Sequence, residues 1–159
     1  MLLMPALCRQ VAAQAPRAAI DVVAVHLLRA EQALETGEID VAIAFHPEPP
    51  GSLRRAPLFT DDYVCIARHG HPCTAAPLDA AAYAALAHVS VAPSGLGYFA
   101  NAVDAALESA GLSRRVAVSS PHFLLAAHLV AHGEMVLTLP RQAATSLAGF
   151  LPLTIVEIP

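Results

Sequence analysis

The stretch that most constrains this chain is Glu38-Ile39-Asp40-Val41-Ala42-Ile43-Ala44-Phe45. It is an almost unbroken apolar run, entered from Gly37 and closed by Pro47, Pro49, Pro50 and Gly51. A run this apolar is the pattern of a strand covered on both faces, as in a parallel sheet between helices. Residues 28–36 before it have helical character, and Gly37 stands where a left-handed residue would stop that helix. A helix passing through glycine into a buried strand is half of a βαβ unit.

The rest of the chain repeats that alternation. Leu3, Leu7, Val11 and Ala15 recur at helical spacing ahead of Pro16, so the chain opens in a helix. Residues 19–25 are short and β-branched, a predicted strand. Asp61-Asp62 reads as a turn before a second buried strand over 63–67. The proline-marked passage 68–77 is the expected boundary between lobes. Asp79 is placed to cap a helix over 80–86. Strands are predicted over 88–92, 115–119, 134–139 and 153–158. Helices are predicted over 98–110, 123–131 and 141–147, with Gly111 and Gly133 stopping the first two and Pro121 opening the second. Strand and helix alternate throughout, so the class is α/β with open sheets.

Composition narrows the functions available. With 159 residues, 56% apolar and 14% charged, the chain can bury a core, as one domain or as two small lobes. No apolar run reaches the ~18 residues of a membrane span, and the first residues carry no signal-peptide pattern. Three cysteines, Cys8, Cys65 and Cys73, suit a reducing cytosol better than a disulfide framework. The net charge of −4 has no basic stripe, so the expected partner is a small molecule or a protein rather than nucleic acid.

In open α/β sheets, ligands sit beyond the carboxyl ends of strands, where helix N-termini point. Three such ends carry suggestive residues: Phe45-His46-Pro47, Ala92-Pro93-Ser94-Gly95 and Ser119-Ser120-Pro121-His122. Helix N-termini there would favour a carboxylate or similar anion, although the serines also read simply as helix caps. Among the eight histidines, His128 and His132 are spaced to share a helix face. They lack the glutamate of a zincin motif and an obvious third ligand, so no metal site is expected. No Gly-x-Ser-x-Gly elbow occurs, no cysteine sits in a nucleophile context, and the absence of lysine removes Schiff-base and phosphate-loop chemistry. The chain does not read as an enzyme, and no cofactor is implied.

Taken in order, several segments resemble the effector-binding domain of LysR-type transcriptional regulators. They are Leu34-Glu35-Thr36-Gly37-Glu38-Ile39-Asp40-Val41-Ala42-Ile43, residues 58–68, His71-Pro72, residues 88–95, and Met135-Val136-Leu137-Thr138-Leu139-Pro140-Arg141. The resemblance implies a periplasmic-binding-protein-like type II fold, two Rossmann-like lobes joined by crossing strands. Lobe one falls at 1–68, lobe two at 69–151, and the return crossing strand at 152–159. It also implies a small effector between the lobes, facing Phe45, His46, Ser94, Gly95, Ser120, Pro121, His122, Phe123, Thr138 and Pro140. Further implications are a homo-oligomer (dimer or tetramer) and a cytoplasmic location. DNA would be reached only through a helix-turn-helix domain that this chain does not contain.

Set against the family pattern, lobe one lacks its first, central strand and the chain looks cut at both ends. Unpaired edges and bare apolar area are then expected, with poor solubility or association in isolation; a sharply sedimenting monomer would contradict this. Two alternatives remain from the residues alone. One is a stand-alone cytoplasmic solute-binding-like module. The other is a small-molecule enzyme, whose turnover would depend on Ser94 or His122.

Overall fold

The structure, a computed structural model, describes residues 3–44, 53–92 and 98–159. Its centre is a five-stranded mixed sheet in the order β3-β2-β4-β1-β5. The strands are β1 (Tyr63–Arg68), β2 (Ala87–Val91), β3 (Arg115–Ser120), β4 (Met135–Pro140) and β5 (Leu153–Val156). β2 runs parallel to β3 and β4, whereas β1 runs antiparallel to β4 and β5.

Alternation along the strands builds a core on each face. Val64, Ile66, Val89, Leu137 and Leu139 point to one side, where α5 (Phe123–Ala131) and α6 (Arg141–Ala148) cover them with Ala126, Val130, Ala144 and Leu147. Cys65, Ala67 and Val136 point to the other side, against Tyr83 of α3 (Ala80–Ala85) and Val103 and Leu107 of α4 (Tyr98–Ser109). Both faces of the central strands are therefore covered, which is why 64–67 reads as a continuous apolar run and 136–139 as one interrupted only by Thr138. Burying a side chain such as Ile66 or Leu137 completely stabilises the fold by about 1.5–3 kcal/mol.

Local signals set the ends of these elements. The Asp79 side chain accepts from the Ala82 N–H at 2.7 Å and caps α3 as expected. Gly37 at φ +72° follows α2 (Leu27–Glu35), and its left-handed backbone is one that L side chains rarely adopt. Gly133 is confined differently: a Cβ there would meet the Leu129 carbonyl oxygen at 2.9 Å. The passage 68–77 contains one 3-10 turn, Pro72–Thr74, which the sequence pattern did not indicate.

Two expectations fail in the N-terminal part. The apolar run was expected to be a strand buried on both faces, but 38–44 form no strand, and Val41 is 74% exposed. The strand expected over 19–25 is likewise absent, with Val22 68% exposed. β-propensity describes fitness for a pleated, half-buried surface, and a strand forms only where a neighbour supplies the ladder. Among the described residues none does so here. α1 (Met4–Gln14) opens this part of the chain, and the side chains of Ile20, Val23, Ile43, Leu58 and Phe59 that follow are also left exposed, so apolar area is bare here. Phe45, the last residue of the run, lies outside the described residues.

β1 falls within the range 1–68 expected for the first lobe, yet it hydrogen bonds between β4 and β5 in the same sheet as residues 87–156.

Candidate functional site

Because β2, β3 and β4 are parallel, their carboxyl ends at Val91, Ser120 and Pro140 share one edge of the sheet. β1 starts at that edge, with Tyr63 opposite Pro140. The helices that follow β3 and β4 begin there too, α5 at Phe123 and α6 at Arg141.

At the β3 end, Ser120 is almost fully buried. Its Oγ accepts from the His122 backbone N–H at 3.1 Å and donates to the His122 carbonyl at 3.3 Å. Its own carbonyl accepts from Ala92 N–H at 3.1 Å, which ties the ends of β2 and β3 together. Ser120 therefore holds the turn rather than capping the helix, correcting the simpler capping assignment. The cap position belongs to His122, whose side chain makes no capping bond, and Pro121 stands ahead of it. Pro121 and His122 are exposed, whereas Phe123 is half-buried and packs on the α5–α6 core. The edge thus presents an exposed imidazole at the start of a nine-residue helix.

Thr138 sits two residues inside the β4 end, and its hydroxyl lies 2.6 Å from Tyr83 Oη in a buried pair. Around it is a polar layer that sequence reasoning missed. His88 Nε2 is 2.9 Å from the Tyr83 carbonyl oxygen, and the two rings meet edge to face at 4.8 Å. Since a carbonyl only accepts, Nε2 carries the proton and Nδ1 the lone pair. Nδ1 is buried with no hydrogen-bond partner among the described residues. Burial pushes the His88 pKa down, so the ring is held neutral. The Arg114 side chain, only 3% exposed, donates to Asp104 at 2.6 Å and anchors α4 beneath the sheet. Cys65 lies in the same layer, its thiol pushed by burial up to about 12, too high for a nucleophile.

Pro140 closes β4 beside a cluster of charges that the sequence reading also missed. Arg141 forks to Asp62 ahead of β1 and to Glu157 after β5, with contacts down to 2.7 Å on each. The Gln142 backbone N–H is bonded by Asp61 Oδ2 at 3.2 Å, so a carboxylate from outside α6 caps that helix. The guanidinium holds the Asp62 and Glu157 carboxyls below the usual carboxylate range. The separation of 79 residues between Asp62 and Arg141 hid this pair from any local pattern.

The structure thus brings Ser120, Pro121, His122, Phe123 and Pro140 to one edge and commits the Thr138 hydroxyl to Tyr83. Phe45, His46, Ser94 and Gly95 lie outside the described residues. Among the described residues, no group of three or more metal-ligating side chains occurs, and no helix is long and apolar enough to cross a membrane.

Comparison with known proteins gives this edge its context. The family model described as LysR substrate binding domain matches residues 1–159. The chain is 38% identical over 164 residues to the HTH-type transcriptional regulator SyrM 2 of Sinorhizobium fredii, covering 100% of this chain and 46% of that protein. It is 30% identical to the HTH-type transcriptional activator NahR of Pseudomonas putida, over 89% of this chain and 46% of that one. Among solved structures, the probable transcriptional regulator PA0477 of Pseudomonas aeruginosa superimposes with a TM-score of 0.86 at 32% identity. That match covers 99% of this chain and 52% of the other. The regulatory domain of MexT, a transcriptional activator in the same organism, gives 0.79 at 28% identity, over 99% of this chain and 74% of that one.

The chain belongs to the LysR substrate-binding domain family, and its fold is the periplasmic-binding-protein-like type II α/β architecture that the family resemblance implied. It spans about half the length of the curated relatives it matches. Those relatives are transcriptional regulators, and no catalytic family is indicated.

Proposed function

We propose that this chain is the effector-sensing part of a LysR-type transcriptional regulator. A small anionic or aromatic molecule binds at the sheet edge formed by the carboxyl ends of β2, β3 and β4. The observation that carries this is the β3–α5 junction. There Ser120 fixes the turn from inside while His122 stays exposed at the start of a helix, where backbone N–H groups and the helix dipole favour an anion. The effector-binding domain of QuiR, a protein of the same fold at 14% identity, has been solved in complex with shikimate, which supports a small ligand on this architecture.

In this reading Phe45, His46, Ser94, Gly95, Ser120, Pro121, His122, Phe123 and Pro140 face the effector, and Thr138 sets the β4 end from beneath through Tyr83. β1 and β5, adjacent and antiparallel, are the two crossings between lobes. Lobe one precedes β1, and Arg141 pins both crossings beside the cleft. Effector binding shifts the balance between lobe and subunit arrangements of a homo-oligomer in the cytoplasm. That shift alters how a helix-turn-helix domain outside these residues engages DNA. Structures on the same fold include full-length CbnR complexed with its target DNA, which supports such coupling in an intact regulator.

The coding sequence upstream of Met1 tests the regulator reading. An in-frame basic helix-turn-helix is expected there. In-frame stop codons would overturn it in favour of a stand-alone solute-binding module.

A further inference from the structure

At the opposite end of α5 from the effector edge, His128 occupies the last turn and His132 the cap position. Both side chains are exposed. Sequence spacing alone gave no reason to expect a metal there, since a third ligand is missing. The structure adds two facts that spacing does not contain.

The first is a tautomer. His132 Nδ1 lies 3.0 Å from the His128 carbonyl oxygen. A carbonyl only accepts, so Nδ1 carries the hydrogen and Nε2 presents its lone pair outward. Metal-ligating histidines are held in this way, the second ring nitrogen donating to a backbone carbonyl or carboxylate that fixes the ring and raises its basicity.

The second is a distance. The two ring centroids are 4.4 Å apart with planes inclined at 42°. An imidazole nitrogen binds at about 2.0 Å from the metal, which puts the ring centre about 3.1 Å away. Two imidazoles bound at a right angle then have centroids about 4.4 Å apart, and about 5.1 Å apart at the tetrahedral angle. The observed spacing therefore lets both rings reach one ion, and imidazole donors bind Cu2+ most tightly among the divalent first-row ions. The helix C-terminus also favours a cation by its dipole. Glu134, the nearest acid in sequence, is held by Arg68 at 2.7 Å, which leaves the remaining coordination positions to water.

We propose that His128 and His132 form a two-imidazole chelate for a divalent late transition-metal ion, with Cu2+ bound most tightly. The site lies at the other end of α5 from the effector edge. A metal that binds only the folded chain lowers the unfolding equilibrium constant about 100-fold at a free concentration 100 times its dissociation constant.

The test is titration of the whole chain with CuSO4 in a Cys8→Ser background, since the Cys8 thiol is exposed and reacts with Cu2+. Calorimetry should show one saturable Cu2+ per chain, and paramagnetic resonance should show coupling to two equivalent nitrogens. His128→Ala and His132→Ala should each weaken binding by at least the ~10-fold that losing an outer partner alone costs, and the double variant should abolish it. His69→Ala should change nothing. Both replacements sit on an exposed helix end and put in a good helix former, so folding, followed by circular dichroism, is retained. Unchanged Cu2+ binding in the double variant, or no saturable binding by the parent, would overturn the proposal.

Discussion

Arg141 holds Asp62 through three hydrogen bonds of 2.7, 2.9 and 3.0 Å, and so joins the start of α6 to the residue ahead of β1. With Glu157 also held, one guanidinium just past the end of β4 fastens the start of β1 and the end of β5, the other two strands of the β4–β1–β5 ladder.

Arg141→Gln should therefore lower the melting temperature, and the loss should shrink in acid. The Asp62 and Glu157 carboxyls are held below their ordinary values of 3.8 and 4.5. As pH falls, the unfolded carboxylates take up protons first. The contribution is complete at neutral pH and disappears as pH drops through and below those values. Melting curves of both proteins from pH 7 to pH 3, at low and high salt, check this. A difference independent of pH and salt would contradict it.

The Tyr83–Thr138 pair makes a second prediction. Thr138→Val leaves a buried phenol without its 2.6 Å partner and should cost about 1–3 kcal/mol in urea unfolding. Adding Tyr83→Phe should cost less than the two single changes together, because both remove the same bond. Strict additivity would show that the hydroxyls act separately.

His88 sets a direction for stability against pH. Its pKa is lowered by burial below the ordinary 6.5, so the unfolded chain binds a proton at a pH where the folded chain does not. This contribution lowers stability as pH falls below about 6.5, by at most about 1.4 kcal/mol per pH unit, and it levels off below the folded value. Unfolding free energies at pH 7.5, 6.5 and 5.5 should fall more steeply for the parent than for His88→Gln. Parallel slopes would mean that the ring titrates freely in the fold.

The exposed N-terminal apolar segments should tolerate charge. Val41→Lys and Val22→Lys should change the stability of this chain by no more than about 0.5 kcal/mol, while Ile66→Ala should cost about 2–5 kcal/mol. A large loss at Val41 would restore the buried strand that its sequence suggests.

These outcomes follow the line between what the sequence carried and what it did not. All five strands and the helices flanking them were legible, because stretches such as 64–67 are buried on both sides and are apolar without interruption. The same pattern at 38–44 misled, because an apolar run records fitness for a sheet and not the presence of a neighbour. At the site, the β3 end was legible to within a residue from Ser120-Pro121, and the β4 end from Pro140 itself. The Arg141 fork and the Tyr83–Thr138 pair were not, since their partners come together only when distant segments meet in the fold. The His132 tautomer was hidden for a related reason: it depends on which atom a ring nitrogen faces.

The most direct test of the effector reading is a thermal-shift and calorimetry screen of small carboxylic and aromatic acids against this chain, run beside Ser120→Ala and His122→Ala. The account predicts that at least one acid raises the parent's melting temperature with one-to-one stoichiometry, and that both variants lose most of the affinity while still folding. No acid that binds, or one that binds parent and variants alike, would contradict the placement of an effector at the β3–α5 edge.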